Sequence, residues 1–135
     1  MFKTVLFPID MSPESQHAAT LVAQLVQENQ SRLILLSVVE PAAEGSVVPS
    51  SQASPEAVAK LLDQAKDRFA AQNIAAETLE REGQPAFVIC DVADEIGADL
   101  IVLGCRGVGL IEEVQDESVT TRVINLSPCP VLIVP

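Results

Sequence analysis

Apolar residues along this chain alternate between short unbroken runs and longer stretches in which they recur every third or fourth position. An unbroken run suits a strand covered on both faces, and the spaced pattern is the buried stripe of a helix. Lys3 to Ile9 is a β-prone run ending at Asp10. Ser12-Pro13-Glu14 follows with an N-cap, a proline at the first helical position and an acidic first turn. Ala18, Leu21, Val22, Leu25 and Val26 then predict a helix to about Gln30, and Leu33 to Val39 predicts a second strand.

Pro41 to Ser54 has no period and reads as a loop. Ser54-Pro55-Glu56 repeats the helix-start chemistry, and Val58, Leu61, Leu62, Ala65 and Phe69 form the stripe of a second helix. Ile74 to Leu79 is a more polar third strand, as expected at a sheet edge. Gly83-Gln84-Pro85 turns into a helix striped by Val88, Ile89, Val92, Ala93 and Ile96, with Gly97 where a left-handed cap belongs. Asp99 to Leu103 is the fourth strand, ending in Gly104. Ser118 caps a short helix through about Asn125, Pro128 stops it, and Val131 to Val134 is the last strand. Regular alternation predicts one α/β domain over residues 1–135, a doubly wound open parallel sheet with helices on both faces. Alternation does not give the strand order.

Composition narrows the function. Nineteen acidic against eight basic residues give a net charge of −11, which repels nucleic-acid phosphates and anionic lipid alike. No apolar run approaches the roughly 20 residues of a membrane span. The opening residues lack the apolar region and cleavage site of a signal peptide, so a cytoplasmic location is expected. Cys90, Cys105 and Cys129 are odd in number and follow no metal-ligand spacing, which predicts reduced thiols rather than a disulfide framework or a zinc site.

Candidate chemistry gathers after the fourth strand. In Gly104-Cys105-Arg106-Gly107-Val108-Gly109 the glycines permit close backbone approach to an anion. Ser118 and Thr120 stand near a helix start, where unsatisfied N–H groups favour negative charge. The same residues serve equally as a chain turn and a cap, and spacing alone does not separate the two readings. In open α/β sheets ligands sit beyond the carboxyl ends of strands, and Asp10 and Gly104 both mark such ends. His17 lies off its helix's apolar stripe, and Cys105 has no neighbouring base, so neither is read as catalytic. No Ser-His-Asp, HExxH or Walker A pattern is present.

Four blocks, Val5-Leu6-Phe7-Pro8-Ile9-Asp10, Leu35-Leu36-Ser37-Val38-Val39-Glu40-Pro41, Ala98-Asp99-Leu100-Ile101-Val102-Leu103-Gly104 and Pro128-Cys129-Pro130-Val131-Leu132-Ile133-Val134, together resemble the universal stress protein family in order and over the whole chain. The resemblance implies a Rossmann-like, adenine nucleotide alpha hydrolase-like sheet of five strands in order 3-2-1-4-5. It implies a crevice between the first and fourth strands, and a homodimer through the last strand, Val131 to Val134. A partner would also cover the apolar edge of that strand. Nucleotide-binding members carry G-x2-G-x9-G-[ST] and an Asp after the first strand.

Carried onto this chain, the motif nominates Asp10, Val39, Gly104, Arg106, Gly107, Gly109, Ser118, Val119 and Thr120 as an ATP crevice. The third glycine position is occupied by Glu117, beside Glu112, Glu113 and Asp116. At roughly 4 Å and an effective dielectric of about 20, one carboxylate–phosphate contact costs about 4 kcal/mol, nearly a thousandfold in affinity. Losing the glycine also removes close backbone approach. The expected protein is therefore a stress-response adaptor with a degenerate nucleotide crevice, no bound cofactor and an unidentified regulatory protein partner. An ATP or AMP sensor, or a slow ATP hydrolase, is the alternative.

Overall fold

The computed structural model describes residues 2–9, 13–39, 55–104 and 119–135. Strands and helices alternate as β1 (Thr4–Pro8), α1 (Pro13–Asn29), β2 (Arg32–Val39), α2 (Pro55–Ala70), β3 (Ala76–Glu82), α3 (Pro85–Ile96), β4 (Leu100–Gly104), α4 (Val119–Leu126) and β5 (Val131–Val134). The strands form one sheet in the order β3-β2-β1-β4-β5, and every pairing is parallel. This is the Rossmann-like architecture and order that the resemblance implies.

Successive strand side chains point to opposite faces, so each central strand feeds two cores. Val5, Phe7, Leu33, Leu35, Leu100 and Val102 pack under α1 and α2, with Phe7 meeting the Phe69 ring edge-on at 6.4 Å. Leu6, Ile34, Leu36, Ile101 and Leu103 pack under α3 and α4 against Ile89, Val92 and Val123. Both faces of β1, β2 and β4 are therefore dry, which explains why these strands read as unbroken apolar runs.

Three details differ from the sequence pattern, each for a tertiary reason. β3 starts at Ala76 rather than Ile74 and runs on to Glu82, because its length follows the ladder from Leu33↔Ala76 to Val39↔Glu82 rather than its own hydrophobicity. Ile74 is buried, but its N–H turns back to the Phe69 carbonyl at 3.0 Å and closes the end of α2. On α1, Leu21 is 37% exposed while Ala23 is buried: the helix meets the sheet through Ala18, Val22 and Val26, and Leu21 falls on its flank. On α3, Ala86 and Cys90 are buried where Val88 and Ile96 were expected, and these two pack only at the margin. Gly97 caps α3 in the left-handed conformation (φ 65°, ψ 42°), as its position predicts. The expected caps Ser12, Ser54 and Ser118 and the expected loop Pro41 to Ser54 lie outside the described residues.

Candidate functional site

β1 is where the winding reverses. The chain passes from β1 through α1 to β2 and on to β3, then α3 carries it back across the sheet to β4 on the other side of β1. α1 and α2 therefore cover one face and α3 and α4 the other. In open α/β sheets such a reversal point, beyond the carboxyl ends of the two strands that flank it, here β1 and β4, is where ligand crevices occur.

The two ladders of β1 have unequal reach. Against β2 the register runs from Thr4↔Arg32 to Pro8↔Leu36, and the Ile9 N–H extends it by donating to the Leu36 carbonyl at 2.8 Å. Against β4 it comprises Val5↔Leu100 and Leu6↔Ile101 only. β1 ends two residues beyond the last β4 pair and β4 three, so the two strands stop nearly level, with their last residues unpaired to each other.

The described residues nominated by sequence fall at this end. Val39 is the last residue of β2, half-buried against the core under α1 and α2. Gly104 ends β4, opposite Val134. Val119 and Thr120 open α4; Val119 is exposed and Thr120 half-buried. The fold thus brings the carboxyl ends of β1, β2 and β4 to one end of the sheet. Asp10, Arg106, Gly107, Gly109, Glu117 and Ser118 lie outside the described residues, as does Cys105.

Sequence reading missed Gly83 at this same end. Its N–H donates to the Val39 carbonyl at 2.9 Å, and its φ of 144° suits glycine alone. A Cβ there would meet Val88 Cγ2 at 2.8 Å. The signal was present in Gly83-Gln84-Pro85, which reads as a turn but not as a clamp on Val39.

Away from the crevice, Cys90 and Cys129 belong to the core under α3 and α4. Burial pushes both thiols up from their ordinary range, and the Ser127 hydroxyl beside Cys129 opposes the shift only in part. Raised thiol pKa values suppress the thiolate, and both side chains pack with the core under α3 and α4. Among the described residues, no group of three or more His, Cys, Asp or Glu side chains could hold a metal ion, and no helix is long and apolar enough to cross a membrane.

Residues 1–135 match the model of the universal stress protein family. The chain belongs to that family. It is 61% identical over 136 residues to universal stress protein Sll1654 of Synechocystis sp., covering 100% of this chain and 87% of that one. Universal stress protein YxiE of Bacillus subtilis is 36% identical over 148 residues, covering 99% of both chains. Among solved structures, a universal stress protein in complex with cAMP has a TM-score of 0.80 and 27% identity, covering 99% of this chain and 97% of that one.

Proposed function

We propose that this universal stress protein is a dimeric, cytoplasmic stress-response regulator that acts through a protein partner, and that its nucleotide crevice binds ATP weakly or not at all. The observation that carries the reading is Glu117, which stands where the nucleotide-binding pattern has its third glycine, with Glu112, Glu113 and Asp116 in the same stretch. Where the family pattern offers a polyphosphate close backbone approach, this sequence carries four carboxylates. Charge and lost backbone access act in the same direction. The reading assigns the chain no catalytic step and no resident cofactor.

The dimer rests on the β5 edge. Val131, Leu132 and Ile133 are half-buried at an outer strand whose free edge accepts another strand, and α4 beside it leaves Ile124 54% and Leu126 48% exposed. A second copy of β5 pairs this edge and covers those side chains. Sedimentation at tens of micromolar should give a dimer for the wild type and a monomer for an Ile124→Glu, Leu126→Glu variant. A monomeric wild type contradicts the dimer.

A second reading, an AMP-type sensor, is favoured by the relative that holds cAMP. A nucleotide with one phosphate brings less charge toward the acidic stretch than ATP, so Glu117 penalises it less. Asp10, Val39, Gly104, Arg106, Gly107, Gly109, Ser118, Val119 and Thr120 would line that site. Calorimetric titration with AMP and with Mg-ATP separates the two readings. The adaptor predicts heat from neither, and the sensor predicts binding of AMP in preference to ATP. Phosphate release that disappears in Asp10→Ala would instead establish slow ATP hydrolysis.

A further inference from the structure

β1 pairs with β2 over five residues but with β4 over two. In a parallel ladder a residue's N–H and C=O point toward the same neighbouring strand, and successive residues alternate sides. The Arg32 N–H donates to the Lys3 carbonyl at 2.7 Å and the Ile9 N–H to the Leu36 carbonyl at 2.8 Å, so the odd-numbered residues of β1 face β2. The Asp99 N–H donates to the Thr4 carbonyl at 2.8 Å, and the Thr4 N–H to Asp99 Oδ2 at 3.0 Å, so the even-numbered residues face β4. With Leu6 opposite Ile101, the next donor position aimed at β4 is residue 8, and its acceptor in register is the Val102 carbonyl. Residue 8 is proline and has no N–H to give.

We infer that Pro8 is a positioning residue that holds the crevice open, by ending the β1–β4 ladder at Leu6↔Ile101 while leaving the β1–β2 ladder intact. Its own carbonyl and the N–H groups of Phe7 and Ile9 are retained, so only the side facing β4 is released. This splits β1 from β4 just below the departure of the segments at 10–12 and 105–118. Its functional consequence rests on the proposed nucleotide crevice, but its structural consequence does not.

The test is Pro8→Ala in the full-length chain, with Pro8→Val as a second variant in case alanine weakens the strand. Amide hydrogen exchange followed by NMR should show the new N–H of residue 8 protected at least a hundredfold relative to an unstructured chain, because it bonds to the Val102 carbonyl. In a Glu117→Gly background, Pro8→Ala should then weaken Mg-ATP binding at least tenfold. Free exchange at residue 8 in both variants overturns the inference, and so does a protected amide with unchanged Mg-ATP affinity. If Glu117→Gly alone binds no Mg-ATP, the reading of Glu117 fails, and the exchange result still decides whether Pro8 separates the strands.

Discussion

The two ends of the sheet are built on opposite plans. At the amino ends, β1 and β4 are latched by the reciprocal bonds between Thr4 and Asp99, and β2 and β3 by the Arg32–Glu77 pair, whose Arg32 Nη2 lies 2.8 Å from Glu77 Oε1. At the carboxyl ends β1 and β4 run on past Leu6 and Ile101 without pairing to each other, while Gly83 ties down the far side, at Val39. Closed latches need nothing from solvent or ligand, whereas an interrupted ladder leaves room between strands. The contrast sets a stabilising amino end against a carboxyl end where the proposed ligand chemistry would sit.

Substitutions at each end should separate these roles. The largest effect is expected at Gly83→Val, where the positive φ and the approach of Val88 together cost roughly 2–4 kcal/mol in urea unfolding. A loss below about 0.5 kcal/mol would mean that this turn tolerates a side chain. Asp99→Ala should cost about 1 kcal/mol, since the carboxylate bond to the Thr4 N–H is solvent-exposed; in a Glu117→Gly background it should leave Mg-ATP affinity unchanged. Any change in crevice binding from Asp99→Ala would break the division between the ends.

The smallest effect concerns Glu77, whose carboxyl is held below its usual range chiefly by the hydrogen bond from Arg32, with the opposite charge adding and desolvation opposing. A depressed folded value means that the pair stabilises the fold above the unfolded carboxylate range and loses that contribution as pH falls through the lower value. Glu77→Gln should therefore flatten only the acid limb of the stability curve. Both side chains of the pair are about half exposed (52%), and solvent screening should keep the difference at neutral pH slight. An alkaline effect would point to another group.

How much of this was legible in the sequence follows from what each feature depends on. Strand and helix existence was readable because β1, β2 and β4 are dry on both faces and announce themselves as apolar runs. The bounds of β3 were not, because its partner β2 sets them and its own residues are mostly polar. Leu21 misled because a helical stripe shows which residues are apolar but not the angle at which the helix meets its sheet. Strand order came from family resemblance, since alternation of elements permits several windings. Val39 and Gly104 stand at the carboxyl ends of β2 and β4, as the apolar runs of those strands predict, whereas the roles of Gly83 and Pro8 needed the ladder register before they became visible. The nominated residues from 105 to 118, and Asp10, rest on the motif alone.

The central claim is that Glu117 closes the crevice to polyphosphate, and calorimetric titration of Mg-ATP into the wild type and Glu117→Gly, side by side at moderate salt, tests it most directly. The account predicts no measurable heat of binding for the wild type and micromolar affinity for the variant, a gain of about a thousandfold for one removed carboxylate–phosphate contact of about 4 kcal/mol. Micromolar binding by the wild type, or equal behaviour of the two proteins, would contradict it.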